Sequence, residues 1–375
     1  MPLTSDESAF LATVRRWIER ECSPHVAAWD EAGAFPRELY RKAAAVGLLA
    51  VGFPEALGGV PASARLRVAL QREICRAGSG GLFAGLFSHG IALPPIVALG
   101  TAEQQARLLP PVMSGARVAA LAVTEPSGGS DVANLRTTAR RDGDVFVVNG
   151  QKAFITSGMR ADLLTVAVRT GGPGAAGVSI LAVEGHPPGL TRAPMQKMGW
   201  WCSDTAILTF DEVRVPAANL IGELGFGFLG LMHNFNGERL GIAAAAWGFA
   251  EECLQEATEW ARARETFGKP LISRQVIRHQ LVDLKMRIEA VRALLFELAE
   301  RIDAGEEPVA DVCMLKNLAT ETLEQVAGKC VQILGGSGFI RGGKSERIFR
   351  ESKVLSIGGG ASEVLADLAA RQLGW

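Results

Sequence analysis

The run Thr124-Glu125-Pro126-Ser127-Gly128-Gly129-Ser130-Asp131 sets glycines, which let a ligand approach the backbone, among hydroxyls that can donate to a carbonyl or phosphate oxygen. Alone, the pattern also describes an ordinary turn, and no Gly-Lys-Ser/Thr follows to make it a P-loop. A second candidate, Phe154-Ile155-Thr156-Ser157-Gly158, pairs an aromatic with hydroxyls that could stack on and hydrogen-bond a planar ring. Near the C-terminus, Gly335-Gly336-Ser337-Gly338-Phe339 and Ile357-Gly358-Gly359-Gly360-Ala361-Ser362-Glu363 break otherwise helical sequence. Glycine weakens helices, so each break reads as a close backbone approach or a sharp helix corner. Between them Arg341, Lys344, Arg347, Arg350 and Lys353 form a basic stretch, read as a solvated face or a phosphate contact. The five histidines (His25, His89, His186, His233, His279) never fall at metal-ligand spacing, so metal chemistry is disfavoured.

The elements that must position these residues divide by texture into three zones. Residues 1–120 have helical spacing, as in Phe10, Val14, Trp17 and Ile18, so this zone reads as a helical domain. Residues 121–220 switch to short β-rich runs: 145–148 followed by Asn149-Gly150 as a hairpin turn, then 163–168, 178–183 and 206–210. From 221 to 375 the helical period returns. Leu281, Leu284, Ile288, Val291, Leu295, Leu298 and Ile302 form one stripe, and Val312, Leu315, Ala319, Leu323, Val326, Cys330 and Ile333 another. With Trp247, Ala250, Leu254, Ala257 and Ala261 on the preceding segment, these stripes predict an antiparallel bundle core.

At 375 residues the chain has room for two to three domains, and 48% hydrophobic with 21% charged residues is a folded composition. A net charge of −1 supplies no global positive field for nucleic acid or an anionic membrane. No apolar run approaches a bilayer span, and the acidic start lacks a signal peptide's pattern, which reads as a cytoplasmic protein. Cys22, Cys75, Cys202, Cys253, Cys313 and Cys330 form no Cys-x-x-Cys pair and are expected as buried, reduced thiols.

Taken in order, the motifs resemble those of the acyl-CoA dehydrogenases along the whole chain. The matching strings are Phe53-Pro54-Glu55 with Gly58-Gly59, Thr124-Glu125-Pro126 with Gly129-Ser130-Asp131, and Asn149-Gly150-Gln151-Lys152 with Ile155-Thr156. They continue through Asp211-Glu212-Val213-Arg214-Val215-Pro216, Arg264 with Thr266-Phe267-Gly268-Lys269 and Gln275, and Gln332-Ile333-Leu334-Gly335-Gly336. The resemblance implies a mainly α fold with an N-terminal helical domain, a central β-barrel-like domain and a C-terminal four-helix bundle. It also implies FAD, bound between the β domain and the bundle.

By similarity, Leu121, Val123, Thr124, Gly129 and Ser130 would lie along the flavin, and Phe154, Ile155 and Thr156 would cover its other face. The family more often has Trp where Phe154 stands, so an apolar face is kept and an indole N–H lost. Arg264, Thr266, Phe267, Gln275, Gln332, Gly335 and Gly336 would reach FAD from a neighbouring subunit, with Ala361 and Glu363 completing the cofactor set. A homo-oligomer, dimer or tetramer, follows from that sharing. Ser130, Asn236, Arg239, Gly359 and Gly360 are the residues expected at the thioester substrate.

The implied reaction removes a proton from the carbon α to an acyl-CoA thioester and a hydride from the β carbon, as in β-oxidation. The electrons would pass to an electron-transfer flavoprotein. Such chemistry needs a carboxylate base, a polarised carbonyl and a dry flavin. Many relatives carry the base in a Tyr-Glu-Gly-Thr string, but the aligned stretch is Gly358-Gly359-Gly360-Ala361, and Gly359 has no side chain. Isovaleryl- and long-chain-type members place a glutamate on the first bundle helix instead, and Asn236-Gly237-Glu238-Arg239-Leu240 supplies it, so Glu238 is the expected base. The bland reading of Glu238 is an acidic residue in a helix's first turn, favoured by the dipole. Gly359 retains an N–H for the carbonyl, and Leu86, Phe87, Ile91 and Leu93 are candidates for the acyl pocket. An oxygen-using oxidase or monooxygenase, an acyl-carrier-protein-linked dehydrogenase and a non-catalytic flavin-binding protein remain alternatives.

Overall fold

The computed structural model describes residues 3–375; Met1, Pro2 and the side chains of His233 and Asn234 lie outside the described residues. The chain forms two compact units, one of residues 1–28, 62–83 and 236–375 and the other of residues 29–61 and 84–235.

The first unit is helical. Its principal helices are Ser5–Glu21, Ala64–Cys75, Gln275–Asp303, Val309–Leu334, Lys344–Ile357 and Ser362–Gln372, with the C-terminal part of Gly227–Ala263. Both predicted stripes are inward-facing: Leu281, Leu284, Ile288, Val291, Leu295 and Leu298 are buried on one helix. Val312, Leu315, Ala319, Leu323, Val326, Cys330 and Ile333 are buried on the next. Carboxylates from neighbouring helices add caps at two helix starts, one that also has its own Ser63 cap and one whose Gly343 offers none. Asp303 accepts from the Ala64 N–H at 2.6 Å, and Glu256 accepts from the Lys344 and Ser345 N–H groups at 3.0 and 2.6 Å. Each satisfies orphan donors where the helix dipole favours negative charge.

The second unit is built on an eight-stranded sheet: β1 Ala119–Ala122, β2 Thr138–Asp142, β3 Val145–Thr156, β4 Leu163–Arg169, β5 Val178–Glu184, β6 Leu190–Pro194, β7 Thr205–Pro216 and β8 Leu220–Ile221. The order is β6-β7-β3-β2-β4-β5-β8, with β1 parallel to β4. Residues 163–168 and 178–183 are buried without alternation, as expected of strands covered on both faces. Leu86 and Leu93 are fully buried in this unit.

One turn is not where the sequence predicts it. Asn149-Gly150 makes no hairpin; β3 runs straight through it, and the register against β7 shifts between Val148 and Gly150. Gly150, at φ +143°, packs so closely that a Cβ would lie 2.6 Å from Thr137 Cα. The Asn149 amide exchanges hydrogen bonds with Glu212, accepting from its N–H at 2.9 Å and donating to its carboxylate at 2.5 Å. The pair is a β-bulge device. The reversal between β2 and β3 falls at Gly143-Asp144, with Gly143 at φ +59°. No single helix among the described residues is long and apolar enough to cross a membrane, and all six cysteines are buried and outside any disulfide.

Candidate active site

In the sheet unit, two stretches that are 27 residues apart in sequence become one object through a buried ion pair. Lys152, fully buried on β3, donates to Glu125 Oε1 at 2.8 Å and to the Val123 carbonyl at 2.9 Å. Glu125 also accepts from the Arg136 and Thr137 N–H groups at 2.6 and 2.8 Å. Burial would raise the Glu125 carboxyl, but Lys152 and the Thr137 donor more than offset it and hold it at about 2. Burial lowers Lys152 to about 8 against the attraction of Glu125, so the pair stays ionised at neutral pH.

That staple fixes residues 121–130 against the end of β3, where the Ala153 N–H donates to the Thr124 carbonyl at 2.9 Å. Phe154 there has φ +60° and a 63% exposed ring, whereas Ile155 points into the core. An aromatic in the left-handed region costs about 1–3 kcal/mol, and backbone outliers of this kind cluster at active sites and ligand clamps. Gly128, Gly129 and Ser130 are exposed, and nothing lies within 4 Å of a Cβ built on Gly128. An outward aromatic beside open glycine and hydroxyl positions suits a planar ligand that stacks on one face and is hydrogen-bonded at its edge, so these residues fit a flavin.

In the helical unit, a different cluster forms. Helix Gly227–Ala263 begins well before Glu238, which lies about three turns inside it, so first-turn dipole stabilisation does not explain the residue. Gly359 and Gly360, at φ +66° and +103°, turn the chain between helices Lys344–Ile357 and Ser362–Gln372. A Cβ on Gly359 would lie 2.4 Å from Ile242 Cδ1 and 3.7 Å from Glu238 Oε1. The place a side chain at 359 would leave from therefore adjoins the Glu238 carboxylate, and Ile242, one turn on, fills the space. Arg239 is buried, donating to Asn236 Oδ1 at 2.9 Å and reaching the Gly359 carbonyl at 3.5 Å. Burial lifts the Glu238 carboxyl to about 7 against the pull of Arg239 and Lys316, with no hydrogen bond among the described residues to hold the charge.

The remaining predicted residues form two further local groups. Thr266, Phe267 and Gly268 make a tight turn between Glu265–Thr266 and Lys269–Pro270, with Phe267 at φ +51° and 98% exposed. Arg264 precedes it and Gln275 starts the next helix. Gly335 ends helix Val309–Leu334 at φ +62°, just after Gln332, and Gly336 opens the short helix Gly336–Phe339, whose Phe339 is exposed. Ala361 and Glu363 stand at the start of the last helix.

The basic stretch divides: Arg341 and Lys353 lie on the surface as a solvated face would, whereas Lys344, Arg347 and Arg350 turn into contacts within the helical unit. Arg347 is buried and donates to the Gly78 carbonyl, Lys344 pairs with Glu252, Arg350 with Glu346 and Lys353 with Glu324. Sequence reasoning missed Lys316, whose signal was a lone cation beside the apolar stripe of its helix, four residues after Val312 and three before Ala319.

Comparison with known proteins matches three family models in chain order. These are the acyl-CoA dehydrogenase N-terminal domain over residues 4–116, the middle domain over 120–213 and the C-terminal domain over 225–374. The chain is 34% identical to bovine (Bos taurus) mitochondrial isobutyryl-CoA dehydrogenase, covering 100% of this chain and 90% of that protein. It is 33% identical to the rat (Rattus norvegicus) long-chain-specific enzyme, covering 99% and 87%. The crystal structure of an acyl-CoA dehydrogenase from Geobacillus kaustophilus superposes with a TM-score of 0.95 at 35% identity, over 100% of this chain and 99% of that one.

Proposed function

The chain belongs to the acyl-CoA dehydrogenase family of FAD-dependent oxidoreductases acting on CH–CH bonds, and from that premise we propose that Glu238 is the base that takes the α proton of an acyl-CoA thioester. The observation that carries this reading is the convergence of Gly359 and Glu238. The family's usual base position is a glycine whose missing side chain would start 3.7 Å from Glu238 Oε1. A base is defined by its distance to the proton and its pKa, so two chain positions can serve one point. A carboxyl near 7 is also matched to that task, half ionised at neutral pH and basic enough to pull a proton from carbon.

The flavin, when bound, supplies the acceptor for the β hydride. In this reading Phe154 and residues 121–130 hold its ring, Ser130 with Gly129 its phosphates, and the Lys152–Glu125 pair keeps that wall in place. Arg264, Thr266, Phe267, Gln275, Gln332, Gly335, Gly336, Ala361 and Glu363 would serve FAD across a homo-oligomer, a role supported by the exposed Phe267 and Phe339 rings. The Gly359 N–H would polarise the thioester carbonyl, with Asn236, Arg239 and Gly360 shaping its surroundings, and the product is the trans-2-enoyl-CoA. Electrons would then pass to an electron-transfer flavoprotein, and six buried cysteines outside any disulfide support a cytoplasmic setting. Residues 1–120, 121–220 and 221–375 are the functional division we adopt.

Near-equal identity to a branched-chain and a long-chain enzyme leaves the acyl group to experiment. Anaerobic titration of the holoenzyme with short, branched and long acyl-CoAs, following loss of the oxidised flavin band, tests the reading. One chain class should bleach the flavin in the wild type and fail to do so in Glu238→Gln. Bleaching retained in that variant would remove Glu238 from the mechanism.

A further inference from the structure

Lys316 has no part in the reaction as drawn above, yet its side chain is fully buried, where an ammonium is rarely found without a partner. Its Nζ donates to the Gly360 carbonyl at 2.8 Å. From another helix, Arg239 reaches the adjoining Gly359 carbonyl at 3.5 Å. Two cations thus approach successive carbonyls of one turn, and that turn lies against the Glu238 carboxylate. Next to Lys316, Asn317 donates to the Ser362 carbonyl at 2.8 Å, so the same helix holds the turn and the start of the segment that follows it.

We propose that Lys316 is a positioning residue of the reaction, fixing the Gly359–Gly360 turn from inside the helical unit while keeping a positive charge near the carboxylate of Glu238. The proposal rests on Glu238 being the base. Among the described residues, the charges acting on Glu238 are Arg239 from its own helix and Lys316 from helix Val309–Leu334, and the 358–361 turn contributes no titratable side chain. Burial lowers the Lys316 ammonium to about 8, with Arg239 pushing the same way and Glu238, Cys313 and Glu324 opposing, so the lysine carries its charge at neutral pH. Burial alone would leave the base protonated at neutral pH, and the lysine counters that without touching the carboxylate. A direct ion pair would hold the charge so firmly that the base lost its strength, as Glu125 shows in the sheet unit.

The test separates a charge from a mere pin. Infrared difference spectra of the holoenzyme across a pH titration, with Glu238→Gln as the blank, read the ionisation midpoint of the Glu238 carboxyl without any substrate. Lys316→Gln retains a donor for the Gly360 carbonyl but no charge, Lys316→Met retains neither, and Lys316→Arg retains both. The midpoint should move alkaline by about one pH unit in the first two, about a tenfold loss of ionised base below it, and stay in place in the third. Bound FAD and the melting temperature report folding, and any one well-folded uncharged variant decides the matter. A lowered melting temperature with an unmoved midpoint would overturn the proposal, leaving Lys316 a structural pin. Flavin bleaching retained by Glu238→Gln would sink the base assignment instead, so the two failures are distinguishable.

Discussion

Glu125 in the sheet unit and Glu238 in the helical unit each sit near a buried lysine, and their carboxyls go opposite ways, to about 2 and about 7. The difference is hydrogen bonding. Glu125 accepts from Lys152 and from two backbone N–H groups, whereas Lys316 spends its donor on the Gly360 carbonyl. A saturated carboxylate is a structural anchor; one that is desolvated and only electrostatically supported is available to take a proton. Charge proximity alone does not make an ion pair useful or inert, and the destination of each donor decides.

The strongest way to break that contrast is at the base. Glu238→Gln should lower the rate of flavin reduction by acyl-CoA about 10²- to 10⁴-fold in stopped-flow while FAD content stays at the wild-type level. A comparable loss of bound FAD would mean that Glu238 is an anchor like Glu125.

Lys152→Met should do the reverse, destabilising by about 3–5 kcal/mol in denaturant melts because it strands a buried carboxylate. Since the Glu125 carboxyl is depressed from 4.5 to about 2, its contribution is present above 4.5 and is lost as pH falls from there toward 2. Acid melts of a Glu125→Gln/Lys152→Met double variant should be flatter than those of the wild type across that window. Equal acid sensitivity would show that the pair contributes nothing there.

The sign at Glu238 is opposite. Its carboxyl is raised, so the charged form is the one the fold disfavours, and the penalty enters as pH rises from 4.5 through about 7. Flavin reduction should therefore rise about tenfold per pH unit up to about 7 and then level. Glu238→Gln should melt higher than the wild type at pH 8 and no higher at pH 4; higher melting at both would point to packing rather than ionisation.

The smallest expected effect is at the turn. Gly359→Ala forces a Cβ at φ +66° to within 2.4 Å of Ile242 Cδ1, so it should cost about 1–2 kcal/mol in melts. Adding Ile242→Val should recover part of that loss, and no recovery would place the strain in the backbone alone.

Much of this was legible in the sequence because period and order are local or one-dimensional properties. The apolar stripes from Leu281 to Leu298 and from Val312 to Ile333 forecast buried helix faces from spacing alone. The ordered motifs forecast the family, and the glycine at 359 directed attention to Glu238. The hairpin placed at Asn149-Gly150 was wrong because that pair serves a long-range contact to Glu212 and Thr137, while the nearer Gly143 took the turn. Only the tertiary structure joined Thr124-Glu125-Pro126 to Lys152 and brought Gly359, Ile242 and Glu238 to one point. It also drew Lys344, Arg347 and Arg350 into contacts within the helical unit. Burial and donor geometry depend on residues far apart in the chain, and those two quantities decide whether a carboxylate anchors the fold or works as a base.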